Sequence, residues 1–189
     1  MLLALETTTD VFSAALGLPG RDPEIYRVPG KRHSGKLIPA IEELLGKHGS
    51  SPKDLKALGA SVGPGSFTGI RVGLSCAITI AQVCGIPLYG VSPMDIFGRT
   101  HARSVIKAFG SKYYSALYGK GGMRLGPYSL IDEAERKLNG GPEVTPDAGL
   151  IFEEACRLHS KGDRGDWRDI NPIYVMETVY RKKKSSPGS

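Results

Sequence analysis

Cysteine is scarce in this chain of 189 residues. Cys76, Cys84 and Cys156 are too few and too scattered for a disulfide framework or a cysteine-rich zinc site. Histidine supplies no metal motif either. A metal pair on a helix needs two histidines four apart, and four residues after His33 stands Leu37. His48, His101 and His159 fall in separate segments with no carboxylate pattern beside them. Ser34, Ser66 and Cys76 have no matched His/Asp signature, so a catalytic triad is not supported. No unbroken apolar run approaches the ~18 residues of a bilayer span, so no transmembrane segment is expected. The start, MLLALETTTD, has no basic leader and no small-residue cleavage site, and reads as a first strand. These absences together predict a cytoplasmic, reducing setting.

The composition is that of a soluble globular protein, 40% hydrophobic and 23% charged, long enough for one medium domain or two small ones. The net charge of +6 invites a nucleic-acid reading. Much of the surplus sits in Arg181 to Lys184, followed by SSPGS, which reads as a solvated, disordered tail at 181–189. Such a tail would add a salt-sensitive attraction to RNA phosphates without deciding a function.

Apolar runs at Leu2 to Leu5 and Val11 to Leu18 predict two strands, with a short third around Ile25 to Val28 between breakers. Leu37, Ile38, Ile41, Leu44 and Leu45 recur at helical spacing, with Ser34 as N-cap; Pro39 would then lie past the first turn and bend the helix. The stretch LKALGASVG predicts a buried strand. A helix follows from about Phe67 to Val83, ending near Gly85, then a strand in IPLYGVS. Ser92, Pro93 and Asp95 have the spacing of a cap, a first helical position and a capping-box acid. Beyond residue 100 a hairpin is expected to turn at Gly110–Ser111, with Tyr113, Tyr114 and Tyr118 as strand residues, and MRLGPYSLI to continue that sheet. Helices follow at Asp132 to Leu138 and at Ala148 to His159, the latter with Ile151, Phe152, Ala155 and Leu158 as its apolar face; NPIYVMETVY ends the pattern as an extended segment. Strands followed by helix–strand alternation give an α/β fold, with domains expected at 1–99 and 100–180.

The densest signal is SVGPGSFTGIRVGLS, Ser61 to Ser75. It fails as a P-loop, since Gly63, Gly65 and Gly69 have the wrong spacing and no lysine follows. It fails as a dinucleotide fingerprint because Thr68 stands where the third glycine belongs. Free amides at the helix start would still attract an anion. The second reading is packing. Gly69, Gly73, Ala77 and Ala81 form a stripe of small residues beside a ridge of Phe67, Ile70, Leu74 and Ile78. Glycine inside a helix costs about 1 kcal/mol relative to alanine, so close approach of another element is being favoured. That element is either the chain's own sheet or a partner helix. In LALETTTD, Glu6, Thr7 and Thr8 read either as a polar hairpin or as the acid and donors that surround phosphate in actin-like ATPases and sugar kinases.

Four segments together resemble the TsaB (YeaZ) family: ETTTDVFSAAL, RHSGKLIPAIEELL, SVGPGSFTGIRVGLSCAITIAQVCGIPLYGVSPMD and the late PIY. The resemblance implies an actin/Hsp70-like (ASKHA) fold of two related subdomains, each a mixed sheet flanked by helices, the second shortened. It implies a non-catalytic subunit without cofactor or metal, paralogous to the transferase TsaD, which modifies N6 of the adenosine beside the anticodon in tRNAs reading A-starting codons. TsaD, the ATPase TsaE and a second copy of the chain are the implied partners, with tRNA reached through the complex and no membrane contact. The implied association helices are residues 34–46 and 66–84, with Leu37, Ile38, Ile41 and Leu45 on the first. Phe67, Gly69, Ile70, Gly73, Leu74, Ala77 and Ile78 are on the second. Glu6, Thr7 and Thr8 would be vestigial phosphate contacts. Lys107 stands where the family commonly has the acid of an Asp-Ala-Arg-like strand. A metalloprotease-like hydrolase or ATPase of the same superfamily, and a stand-alone RNA-binding protein, are the rival readings.

Overall fold

The computed structural model describes residues 1–29 and 34–175. His33, the segment 176–180 and the basic tail at 181–189 lie outside the described residues. Five strands form one sheet in the order β3-β2-β1-β4-β5. They are β1 (Leu2–Glu6), β2 (Val11–Gly17), β3 (Glu24–Pro29), β4 (Ala57–Ser61) and β5 (Leu88–Val91). The β1–β2 and β2–β3 pairs are antiparallel hairpins, whereas β4 and β5 add in parallel. Helical crossovers account for that switch, because parallel neighbours cannot be joined by a tight turn.

Two of these helices, α1 (Leu37–Lys47) and α2 (Phe67–Cys84), cover one face of the sheet. Their inward side chains meet Leu3, Leu5, Phe12, Leu16 and Leu58 in the larger core. Ser34 opens a single 3-10 turn instead of the α-helix, which starts at Leu37. Pro39 therefore falls in the first turn, where its missing N–H breaks no helical hydrogen bond, and no bend is required. The boundaries of α2 follow the expected signals. Ser66 caps it through a hydrogen bond from Gly69 N, and Gly85 ends it at φ +63°.

The opposite face is covered by α5 (Ala148–Ser160), which comes from beyond residue 100 and returns to pack Ile151, Phe152 and Ala155 on Leu2, Ala4 and Ala57. Between these segments, α3 (Pro93–Phe97) leads into a second sheet of β6 (Arg103–Lys107), β7 (Lys112–Leu117) and β8 (Ser129–Asp132), followed by α4 (Glu133–Asn139). Its three strands are antiparallel, and its parallel character is reduced to one bridge between Val105 and Glu143. The hairpin turns at Gly110, with φ +54°, and Tyr118 lies just past β7.

The capping box expected on α3 does not form. The Asp95 carboxylate instead accepts hydrogen bonds from Tyr118 OH at 2.9 Å and Tyr128 OH at 2.8 Å, joining α3 to the second sheet. An ion cluster around a buried carboxylate adds another tie. Arg99, after α3, and Arg157 of α5 both donate to Glu154, whose side chain is 6% exposed.

Helix α2 also corrects the reading of apolar run length. Its 18 residues, at mean hydropathy 1.5, are long and apolar enough by length and composition to cross a membrane. In this fold the helix packs on β4, β1 and β5, with Ile70, Gly73, Leu74, Ala77 and Ala81 buried. The expectation missed it because isolated hydroxyls and Arg71 interrupt an apolar composition without making it polar.

Candidate functional site

The turn between β1 and β2 is fastened from both sides. Within the turn, Thr8 donates from its amide and its hydroxyl to Glu6 Oε1, at 2.5 and 2.6 Å. Towards α2, Thr7 Oγ1 donates to Gly69 O at 2.7 Å, and Ser66 N donates to Thr8 O at 2.7 Å. A Cβ on Gly65 would strike Thr8, and one on Gly69 or Gly73 would strike Thr7. The small-residue stripe therefore receives the chain's own turn at its N-terminal end. This corrects the reading of Gly69 and Gly73 as part of a seam for another molecule.

The same geometry tests the phosphate reading of Glu6, Thr7 and Thr8. The structure brings the three together, but both threonine hydroxyls and the Thr8 amide are committed inside the chain. Glu6 is fully buried, and burial pushes its carboxyl above the ordinary 4.5. Thr7 gives its hydroxyl to Gly69, and Thr8 gives both its donors to Glu6. A phosphate at this turn would have to displace those bonds.

Above the turn, between the two sheets, lies a cavity of about 640 Å³. The 8–11 turn, Gly65–Ser66, the hairpin at 106–109 with Tyr114, and the loop at 143–147 line it. Its wall charges are of both signs. Arg27 is paired with Asp147 at 2.8 Å, and Lys107 rests 4.1 Å over the Tyr113 ring and donates to its hydroxyl. Among the described residues no group of three or more His, Cys, Asp or Glu side chains is placed to share a metal ion.

The expected association residues divide sharply by burial. Leu37, Ile41 and Leu45 of α1, and Ile70, Leu74 and Ala77 of α2, belong to the chain's own core and cannot meet a partner directly. Ile38 is 50% exposed and Phe67 48% exposed, while Ile78 is partly buried against the core. Two residues outside the expected set extend the outer surface. Val83 is 81% exposed near the end of α2, and Tyr174 sets its ring at a 44° tilt to Phe67, with centroids 4.9 Å apart. Arg71 lies 3.9 Å over the Phe67 ring and donates to Tyr174 OH at 3.2 Å. Val83 was legible in principle, as an apolar residue off the buried stripe. The Tyr174 contact was not, because it joins positions 103 apart.

A family model described as TsaD, tRNA N6-adenosine threonylcarbamoyltransferase, matches residues 22–105. Over 96% of this chain and 97% of the relative, the sequence is 24% identical to the tRNA threonylcarbamoyladenosine biosynthesis protein TsaB of Escherichia coli K12. Over 98% of the chain it is 31% identical to an uncharacterized protein of Mycobacterium tuberculosis, of which 94% is covered. The solved structure of YeaZ from Pseudomonas aeruginosa superposes with a TM-score of 0.73 at 20% identity, covering 92% of this chain and 99% of that one. The chain belongs to the TsaB (YeaZ) family. Its fold is that of the YeaZ structures, and within that family fold α2, α1 and the Thr7–Thr8 turn form a single packed unit.

Proposed function

We propose that this TsaB-family chain takes part in the biosynthesis of threonylcarbamoyladenosine in tRNA as a non-catalytic subunit. In this reading it binds TsaD and holds it in an active arrangement, TsaE joins the assembly, and the chain pairs with itself when TsaD is absent. The observation that carries the proposal is the outer side of α2. Only five of its eighteen residues are buried, although its mean hydropathy is 1.5. An apolar helix that leaves Phe67, Val72, Cys76 and Val83 partly or fully open is suited to cover another protein surface. Ile38 on α1, over the same sheet face, adds to that side. The inward turn at Glu6–Thr8 supports the non-catalytic role, since both its hydroxyls and the Thr8 amide serve the fold.

Reconstitution tests it. Threonylcarbamoyl transfer to unmodified tRNA by TsaD and TsaE is expected to depend on added chain, and sedimentation is expected to show a one-to-one complex with TsaD. Full transfer without the chain, or no complex with TsaD, overturns the reading.

A further inference from the structure

Glu6, Ser13 and Ser61 stand side by side on three neighbouring strands. Glu6 is opposite Ser13 in the β1–β2 ladder, and continuing the β1–β4 register past Leu5 and Ala60 sets it beside Ser61. All three side chains are buried. Ser13 Oγ is used, accepting from Ala148 N at 2.9 Å, and Glu6 Oε1 is used twice by Thr8. What is left is Glu6 Oε2 and the Ser61 hydroxyl; neither closes a hydrogen bond with a described residue, although Ser61 stands near enough to Glu6 to favour its ionised form.

Among the described residues no cation answers that oxygen. Strands β2 and β4 carry no ionisable side chain. At the start of α5 the charge felt by Glu6 is that of Asp147, which has the same sign as a carboxylate and is tied to Arg27 of β3. Further along α5, Glu154 and Arg157 bond to each other. The charged residue of α2, Arg71, turns outward onto Phe67 and Tyr174. Asp10 belongs to the same turn, and across the cavity Lys107 engages Tyr113 while Tyr114 donates to Gly65 O. An ionised carboxylate in such a place is strongly disfavoured against the neutral acid.

We propose that Glu6 is a neutral carboxylic acid in the folded chain, with its proton on Oε2 beside the Ser61 hydroxyl, and that this proton pins the Thr7–Thr8 turn beneath α2. Raising the pH transfers the proton to hydroxide in the solvent and leaves a carboxylate that must be hydrated. Hydration requires the turn to open, and with it the seat of Gly69 and Gly73 on Thr7. Burial raises the Glu6 pKa, with Asp147 adding to the rise, against the lowering effect of the Thr8 and Ser61 groups. The unfolded chain loses the proton near 4.5 and the folded chain at higher pH, so stability falls as pH rises through that window and then levels.

Carboxyl-carbon NMR of the full chain labelled with 13C-glutamate tests the proton directly, with Glu6 assigned as the signal lost in Glu6→Gln. A Glu6 midpoint above 4.5 is expected, and a midpoint at or below 4.5 overturns the proposal. Exchange of the Ser66 amide, corrected for its intrinsic pH dependence, tests the pinning. It should quicken through the same midpoint in the unsubstituted chain and not in Glu6→Gln; equal pH dependence in both overturns the pinning. If Glu6→Gln does not fold, Ser61→Ala replaces it. Removing a hydroxyl that favours the ionised form should move the Glu6 midpoint further up, and an unmoved midpoint counts against the paired arrangement.

Discussion

Thr7 fills the space that a side chain on Gly73 would need. Its hydroxyl lies against the helix at that point and donates to Gly69 O at 2.7 Å, so the β1–β2 turn and α2 interlock without room for a methyl group. Gly73→Ala is therefore expected to destabilise the isolated chain by about 2 kcal/mol, within the usual range for overpacking. Thr7→Ala should relieve part of that cost, giving a coupling of roughly 1 kcal/mol in a double-mutant cycle followed by urea unfolding. Additive effects of the two substitutions would contradict the interlock.

Substitutions on the outer sides of α1 and α2 should behave in the opposite way. Ile38→Asp and Val83→Asp lie at positions 50% and 81% exposed. Each is expected to change folding stability by no more than about 0.5 kcal/mol. Each should also weaken self-association and TsaD binding by about tenfold or more, the cost of burying an unpaired charge in an interface. Equilibrium sedimentation beside urea unfolding separates the two effects, and unchanged association in both variants would move the docking surface elsewhere.

Glu154 sets the acid limb of the stability profile. Burial alone would raise its pKa, but hydrogen bonds and charge from Arg157 and Arg99 outweigh burial and bring it down to about 2. A carboxylate held below its ordinary 4.5 stabilises the fold above that value and loses the contribution as pH falls towards 2. Glu154→Gln should lower stability at pH 7 by about 1–2 kcal/mol, since Glu154 is buried but Arg99 and Arg157 are 39% and 38% exposed and regain water when it is gone. It should also flatten the loss between pH 4.5 and 2 in urea midpoints measured across pH.

Cys76 offers a chemical reporter on the outer half of α2. Burial pushes its thiol up to about 11. At pH 8 about one thiol in a thousand is then ionised, so iodoacetamide labelling at Cys76 should be slow and should rise steeply towards pH 11. Peptide mass spectrometry after timed labelling measures it, and fast modification at pH 8 would show that the helix face opens in solution.

Much of the first sheet was legible because its signals are local. Leu2 to Leu5 and Val11 onward alternate with turn residues, Ser66 and Gly85 mark the ends of α2, and Ile151, Phe152 and Ala155 mark the buried side of α5. Ser92 and Asp95 misled because a capping box competes with any stronger partner, and two phenols from the second sheet reached Asp95. Ser34 misled because Pro39 tolerates only the first turn, which moved the helix start to Leu37.

The sequence by itself determined that α2 carries a small stripe, an apolar composition and sharp ends, since each follows from residue type and a 3.6-residue period. It also determined the resemblance to the TsaB family, through motifs that stay contiguous along the chain. Only the tertiary structure decided what the stripe touches. Periodicity names a face but not its occupant, and the occupant here, Thr7, lies 62 positions from Gly69. The same holds for Glu6, whose neighbours Ser13, Ser61 and Thr8 are set by ladder register, and for α5, which leaves the second half of the chain to close the first sheet because the apolar face of that sheet must be covered.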